Sequence, residues 1–247
     1  MICLMILLIQ KILLVLKSEP IVGATRNDHA PIAGLLKMLS AVLIAKVTLG
    51  VIWNNRFYFP PDFQSEFLIG RRHYFYEHYQ YAFFSHVISG PISLLLGLAL
   101  VSSRFRIRWP AVHRWVGRIQ VINVALIVAP GGFMMALRAA GGPIAVWGFA
   151  VLAILTAATV IMGYVTVRQR NFVAHERWMF RCFLLLASAV VLRLIAGLSI
   201  VAGIDSDWTY PVSAWASWLV PVAIYEAIWR FLLRRKIEHR GAFDFSA

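Results

Sequence analysis

The stretch from Ile144 to Val167, IAVWGFAVLAILTAATVIMGYVTV, contains no charged side chain. About 20 mostly apolar residues suffice for a helix to cross the roughly 30 Å hydrocarbon core of a bilayer. The stretch therefore predicts a transmembrane helix. It also decides the class of protein, because the rest of the chain repeats the pattern.

Similar apolar runs recur on both sides of this stretch, and together they predict six spans. The runs lie at about Ala33–Trp53, Tyr79–Ser102, Val116–Arg138, Ile144–Val167, Met179–Gly203 and Tyr210–Trp229. The fold class we expect is all-α, a polytopic transmembrane helical bundle. We divide the chain into an N-terminal segment and linker (1–32), a transmembrane domain (33–230) and a basic cytoplasmic tail (231–247).

The composition supports a membrane protein. Of 247 residues, 60% are hydrophobic and 14% are charged, against about 45–50% and about 25% in soluble domains. The mean hydropathy of +0.73 also excludes a disordered chain, which needs low hydrophobicity. Cys3 and Cys182 lie far apart without CxxC spacing. They predict no disulfide framework and no zinc or iron–sulfur site, and we assign no metal site.

The first residues, Met1 to Leu16, are apolar, but the run is short and Gln10 and Lys11 interrupt it. They lack the basic start and the small-residue cleavage site of a signal peptide. We expect an extra short apolar helix. An interfacial helix, a seventh span and a mis-assigned start codon are alternative interpretations.

The net charge of +13 would suggest a nucleic-acid partner in a soluble domain, but in a membrane protein it indicates topology. Short cytoplasmic loops carry an excess of Lys and Arg. The pattern predicts that both termini are cytoplasmic, in the inner (plasma) membrane, and that no nucleic acid binds. Fourteen basic residues fall on one side of a six-span arrangement: Arg104, Arg106, Arg108, Arg114, Arg118, Arg168, Arg170, Arg177, Arg181, Arg230, Arg234, Arg235, Lys236 and Arg240.

His86 and Arg193 are ionisable residues deep inside predicted spans, where a charge costs at least ~2.5 kcal/mol. At ~1.5 Å per residue, Arg193 lies roughly 21 Å above the cytoplasmic start of its span and His86 roughly 10 Å below the outer start of its own. The helix-loosening Pro130-Gly131-Gly132 falls at the same depth. The first interpretation is tight helix packing through the Ser and Gly residues of the second span. The alternative is a ligand pocket in the outer half of the membrane, lined by His86, Arg193 and the broken third span.

Two related motifs precede the third and fifth predicted spans: His113-Arg114-Trp115-Val116-Gly117-Arg118 and His175-Glu176-Arg177-Trp178-Met179-Phe180-Arg181. Interfacial Trp and cytoplasmic Arg need no chemistry to explain them. One histidine in each motif remains unexplained. His113 and His175 on neighbouring helices would clamp a metal or supply the axial ligands of haem b, with Arg118 and Arg181 facing the propionates.

These motifs, with His86-Val87-Ile88-Ser89-Gly90-Pro91, Gly148-Phe149 and Leu192-Arg193-Leu194, resemble the bacterial membrane-protein family named domain of unknown function 2306. The resemblance covers about Tyr79 to Trp229. It implies a multi-span helical protein and no particular activity. The residues it implies as defining are His86, His113, Arg118, His175, Trp178, Arg181 and Arg193.

No Walker loop, dinucleotide-binding glycine pattern or nucleophile elbow is present, so we assign no enzymatic reaction. We expect a redox-linked integral membrane protein that binds haem b or a quinone. The binding residues we expect are His86, His113, Arg118, His175, Arg181 and Arg193. The alternatives are a transporter of a small anionic or proton-coupled substrate and a non-catalytic assembly or structural protein. The lipid bilayer is the expected partner, and a homo-oligomer is compatible with the sequence.

Overall fold

The computed structural model describes residues 30–65, 67–204 and 206–244. Over these ranges the chain forms helices and no β-strand. The α-helices are Ala30–Asn54, Arg72–Tyr74, Gln80–Val101, Ser103–Arg108, Pro110–Asn123, Ala129–Ala136, Gly142–Arg168, Phe172–Val201 and Thr209–Asp244. A 3₁₀ turn covers Asn55–Phe57, and π turns cover Phe75–Tyr79 and Val124–Val128.

Among the residues that the structure describes, six helical segments are long and apolar enough to cross a membrane, which confirms the six predicted spans within this part of the chain. We call them the first to the sixth span: Met38–Phe57, Arg72–Val101, Pro110–Ala136, Gly142–Arg168, Phe172–Val201 and Thr209–Phe231. The predicted N-terminal helix at Met1–Leu16 lies outside the described residues. The helix that holds the sixth span continues to Asp244, into the segment we assigned to the basic tail.

Several spans begin earlier than the apolar pattern predicts. The third starts at Pro110 and the fifth at Phe172. Proline suits the first turn of a helix, where its missing N–H is not needed. Asn171 caps the fifth span, since its side chain accepts a hydrogen bond from the Ala174 N–H at 3.0 Å. His113 and His175 therefore lie inside the spans and not in the loops before them.

The chain divides into two compact units. One comprises Ile44–Trp218, and the other comprises Met1–Leu43 with Leu219–Ala247. The Ile44–Trp218 unit contains the second to fifth spans whole. All residues of the candidate site described below belong to it.

The third span is irregular just before Pro130. Over Val124–Val128 the backbone forms a π turn, in which the Ala129 N–H reaches the carbonyl of Val124, five residues earlier. Pro130 has no N–H to continue the regular ladder, and a π turn is one way a helix accommodates such an interruption. We expected the disturbance at Pro130-Gly131-Gly132. The structure places it one turn earlier, and the helix Ala129–Ala136 runs through the proline.

Glycines allow the fourth span to pack closely against its neighbours. A Cβ built at Gly163 would lie 2.5 Å from the sulfur of Met179, and one at Gly148 would lie 3.0 Å from Nε1 of Trp215. Small residues at such positions let transmembrane helices approach each other. Near Gly163, Val124, Val160 and Cys182 form a buried cluster.

Candidate functional site: an intramembrane cavity

A cavity of about 480 Å³ lies within the Ile44–Trp218 unit, and its lining is mostly apolar. The first, second, third, fourth and fifth spans all contribute to the lining, and so does the start of the sixth. Tyr58, Phe67, Phe83 and Phe149 give it an aromatic surface. Its volume falls in the range of about 300–1,000 Å³ that is common for small-molecule sites.

His86 lines this cavity. Its Nδ1 lies 2.9 Å from the carbonyl oxygen of Val128, the last residue of the π turn. Because a carbonyl only accepts hydrogen bonds, Nδ1 carries the proton, and Nε2 of the neutral ring is an acceptor. Nε2 makes no hydrogen bond to any residue that the structure describes. The irregular third span therefore fixes the tautomer of His86 and leaves one acceptor nitrogen for a ligand.

Two glycines make room for the His86 ring. A Cβ at Gly132 would lie 3.0 Å from Cε1 of His86, closer than ordinary van der Waals contact, whereas a Cβ at Gly90 would lie 3.9 Å from Nε2. The close approach of Gly132 holds the imidazole against the third span.

Arg193 lines the same cavity from the fifth span. Its Nη1 donates to the carbonyl of Ala189 at 2.9 Å, one turn earlier in its own helix. Among the residues that the structure describes, no carboxylate forms a salt bridge with this guanidinium. An arginine has five N–H donors, so Arg193 still has donors for a ligand.

A segment between the first and second spans, residues 55–65 and 67–79, covers one end of the cavity, and we call it the cap segment. Tyr58, Phe67 and Arg71 of this segment line the cavity. Leu68 and Phe75 are fully buried. Phe67 stacks on Phe83 of the second span with ring centroids 5.6 Å apart. The cap segment is therefore a packed part of the cavity wall.

Arg71 ties the cap segment to the rest of the unit. Its Nε donates to the carbonyl of Phe67 at 2.7 Å, and its Nη1 donates to the hydroxyl of Tyr74 at 3.0 Å and to the carbonyl of Arg138 at 2.7 Å. A further bond runs from Nδ2 of Asn55 to the carbonyl of Val87 at 3.1 Å. These bonds hold the segment against the second span and against the end of the third.

The histidines of the paired motifs lie at the arginine-rich end of the spans. Nδ1 of His113 is buried and has no hydrogen-bond partner within the described parts of the chain. Nδ1 of His175 donates to the carbonyl of Gly163 at 2.7 Å. Beside them, Arg106 and Glu176 form a salt bridge of 3.6 Å.

The structure does not bring the two motifs to the cavity. His113, Arg118, His175 and Arg181 are all absent from its lining, whereas His86 and Arg193 share it. Arg118 is exposed, and the guanidinium of Arg181 lies over the ring of Trp178, 4.2 Å from its centroid. The residues we singled out thus belong to two separate regions. Within the described ranges, no three His, Cys, Asp or Glu residues cluster to hold a metal ion.

Sequence reasoning missed Tyr58, Phe67 and Arg71 as cavity residues. A signal was present, because the connection between the first two spans is long and rich in aromatic residues. Long connections in compact proteins are often functional loops.

The fold and the cavity define a multi-pass helical membrane protein with a mostly apolar cavity inside its bundle, lined in part by His86 and Arg193. The chain belongs to the family described as predicted membrane proteins, domain of unknown function 2306, whose family model matches residues 83–229. This confirms the resemblance. The match includes all six residues that we expected to bind a cofactor. Comparison with curated proteins and with solved structures finds no significant match.

Proposed function

We propose that the protein is redox-linked and binds a quinone in the intramembrane cavity. One observation supports this most strongly: the acceptor Nε2 of His86 and the donors of Arg193 belong to the same mostly apolar cavity. A quinone is a flat apolar ring with two carbonyl oxygens, and its reduced form carries hydroxyl groups. Arg193 would donate to a carbonyl oxygen, and His86 would accept from a hydroxyl group.

The rest of the lining suits a flat ring. Aromatic pairs prefer offset or edge contacts with centroids about 4.5–7 Å apart, and the cavity presents Tyr58, Phe67 and Phe83 in such contacts with one another. A ligand ring would extend this aromatic cluster. The polar groups would then fix its orientation, as a few placed polar groups do in apolar sites.

The test is organic extraction of the detergent-purified protein, followed by chromatography with a redox-difference spectrum of the extract. We expect bound quinone in the native protein and its loss in Arg193→Ala and His86→Ala. Arg168→Ala is the matched control, because Arg168 is an exposed arginine that does not line the cavity. If native protein yields no quinone and binds none that is added, the proposal is wrong.

Haem b is the alternative redox group, and its site would be at His113 and His175. The buried Nδ1 of His113 without a hydrogen bond in the described structure favours it. The bond of His175 Nδ1 to Gly163 would leave Nε2 as the iron ligand, since a ligating histidine usually donates its other N–H to a carbonyl or carboxylate. A Soret band in purified protein that disappears in His113→Ala would support haem, and its absence would remove it.

Transport of a small anion is a second candidate function. The described lining contains Arg71 and Arg193 and no Asp or Glu, so the fixed charge of the cavity is positive. Proteoliposomes with native protein would then show anion flux that Arg193→Ala abolishes. Equal leakage from both preparations would eliminate transport.

We also propose that the arginine-rich end faces the cytoplasm of the inner membrane, with both termini on that side. The support is the distribution of Lys and Arg along the sequence, because the positive-inside bias sets orientation.

A further inference from the structure

We infer that the ligand carries an apolar tail, and that the tail leaves the cavity for the bilayer between the first and fifth spans, past Gly50. This inference rests on the proposed quinone function and narrows it to membrane-dissolved, tailed quinones. It also makes Gly50 the position that determines specificity for the tail.

The exposed part of the lining shows where the cavity opens. Most lining residues are buried or half-buried. The exposed ones are Gly50 and Asn54 in the first span, Ala189 and Arg193 in the fifth, and Tyr210 at the start of the sixth. Four of these five residues lie on the first and fifth spans. The opening therefore lies where the first and fifth spans border the cavity.

The side chains at this opening are small. Gly50 and Ala189 present almost no bulk, and a Cβ built at Gly50 meets no atom within 4 Å. Open space next to a cavity wall admits an extended chain. Arg193 at the same opening would hold the polar ring while an attached chain runs outward.

The cap segment closes a different face of the cavity. Arg71 makes three hydrogen bonds there, and Leu68 and Phe75 are fully buried. A water-soluble ligand approaching at this end would have to displace that packing. A ligand dissolved in the bilayer meets no such barrier at Gly50, so lipid solubility is the property that the structure selects.

An added side chain at Gly50 tests the inference, because the fold has room for it. The probes are decylubiquinone, which has a tail, and ubiquinone-0, which has the same ring without one. Each is titrated into native protein and Gly50→Trp in nanodiscs. A tail gains little by moving from lipid to an apolar groove, so the informative quantity is the change in Kd between proteins. We expect Gly50→Trp to raise the Kd of decylubiquinone at least about fivefold, because the indole and the tail would overfill the same space. The Kd of ubiquinone-0 should change less than twofold.

Gly197→Trp is the matched control. Gly197 is an exposed glycine of the fifth span that does not line the cavity, and a Cβ there also meets nothing within 4 Å. It should leave both Kd values unchanged. Ala189→Trp blocks the opening from the other span and replaces Gly50→Trp if that variant does not fold.

The outcomes separate the inference from the proposed function. Suppose that native protein binds both quinones. If the substitutions at Gly50 and Ala189 then raise both Kd values equally, or raise neither, the tail route is wrong and quinone binding stands. If native protein binds neither quinone, the proposed function fails and the inference with it.

Discussion

The substitution Gly132→Ala tests whether the contact between the third span and His86 is as close as the structure shows. The new Cβ would lie 3.0 Å from Cε1 and 3.2 Å from Nδ1 of His86. A shift of the His86 ring away from the third span would lengthen its 2.9 Å bond to the Val128 carbonyl. Both the packing and the tautomer of His86 should therefore change.

Two costs and one gain determine how much the free energy of unfolding changes. Overfilling a packed site costs about 1–3 kcal/mol. A hydrogen bond between transmembrane helices contributes about 0.6 kcal/mol on average. Replacing glycine by alanine inside a helix returns up to about 1 kcal/mol. With the full gain subtracted, the sum predicts that Gly132→Ala lowers the free energy of unfolding by about 0.6–2.6 kcal/mol.

Gly90→Ala is the matched control for this prediction. It also places a methyl group beside His86, but at 3.9 Å from Nε2, which is ordinary contact. Only the gain in helix propensity applies, so Gly90→Ala should leave stability unchanged or raise it by up to about 1 kcal/mol. Gly132→Ala should therefore lower stability, whereas Gly90→Ala should not.

The assay is unfolding by denaturing detergent in mixed micelles, with a double-mutant cycle through His86→Ala. If Gly132 acts through the imidazole, Gly132→Ala should show only the gain in helix propensity, up to about 1 kcal/mol, once His86 is alanine, so the coupling energy should equal the single-mutant loss plus that gain. An equal loss in both backgrounds would refute the reasoning, and so would no loss in the native background.

Three further predictions concern charge, polar packing and orientation. Arg193→Met should raise thermal stability, because an unpaired arginine deep in a span costs about 2.5–3.5 kcal/mol. The same variant should lose quinone binding. Thermal melts test the stability, and ligand titration tests the binding. Gln120→Ala removes a buried side chain whose Nε2 donates to the Ser93 carbonyl at 2.8 Å. It should lower the free energy of unfolding by about 1–3 kcal/mol in the same detergent titration. A fluorescent protein fused after Ala247 should fluoresce and alkaline phosphatase fused there should be inactive; the reverse result would place the C-terminus outside.

The number of spans could be predicted from sequence because the bilayer imposes a length on each apolar run. The beginnings of the spans could not be. By composition, the charged residues around Arg114 and Arg177 are typical of loops. The structure nevertheless begins one helix at Pro110 and caps another with Asn171, before these residues. The capping of the backbone, and not the apolar pattern, determines where a helix begins. A polar first turn can extend beyond the hydrocarbon core of the bilayer.

The two ionisable cavity residues on the second and fifth spans could also be predicted. His86 and Arg193 stand out because the membrane makes ionisable side chains expensive, and a helical rise per residue is enough to compare their depths. The contribution of the cap segment depends on how Arg71 reaches the carbonyl of Arg138, 67 positions away in sequence. No local periodicity encodes such a contact. The separation of His113 and His175 from the cavity was likewise a matter of tertiary packing.

Arg193 links stability to function in this cavity. A leucine at its position would pack against lipid and neighbouring helices without any cost of burying charge, so packing alone gives no reason for a guanidinium there. Its bond to Ala189 lies within its own helix and would not bring two spans together. Arg193 lines a cavity whose described lining has no carboxylate, and His86 offers an acceptor in the same cavity. A bound molecule that offers an acceptor oxygen to Arg193 and a hydroxyl donor to His86 would use both groups at once, so the stabilising effect of Arg193→Met and its loss of binding should occur together. A variant that is more stable and binds quinone as before would show that Arg193 has no part in the site.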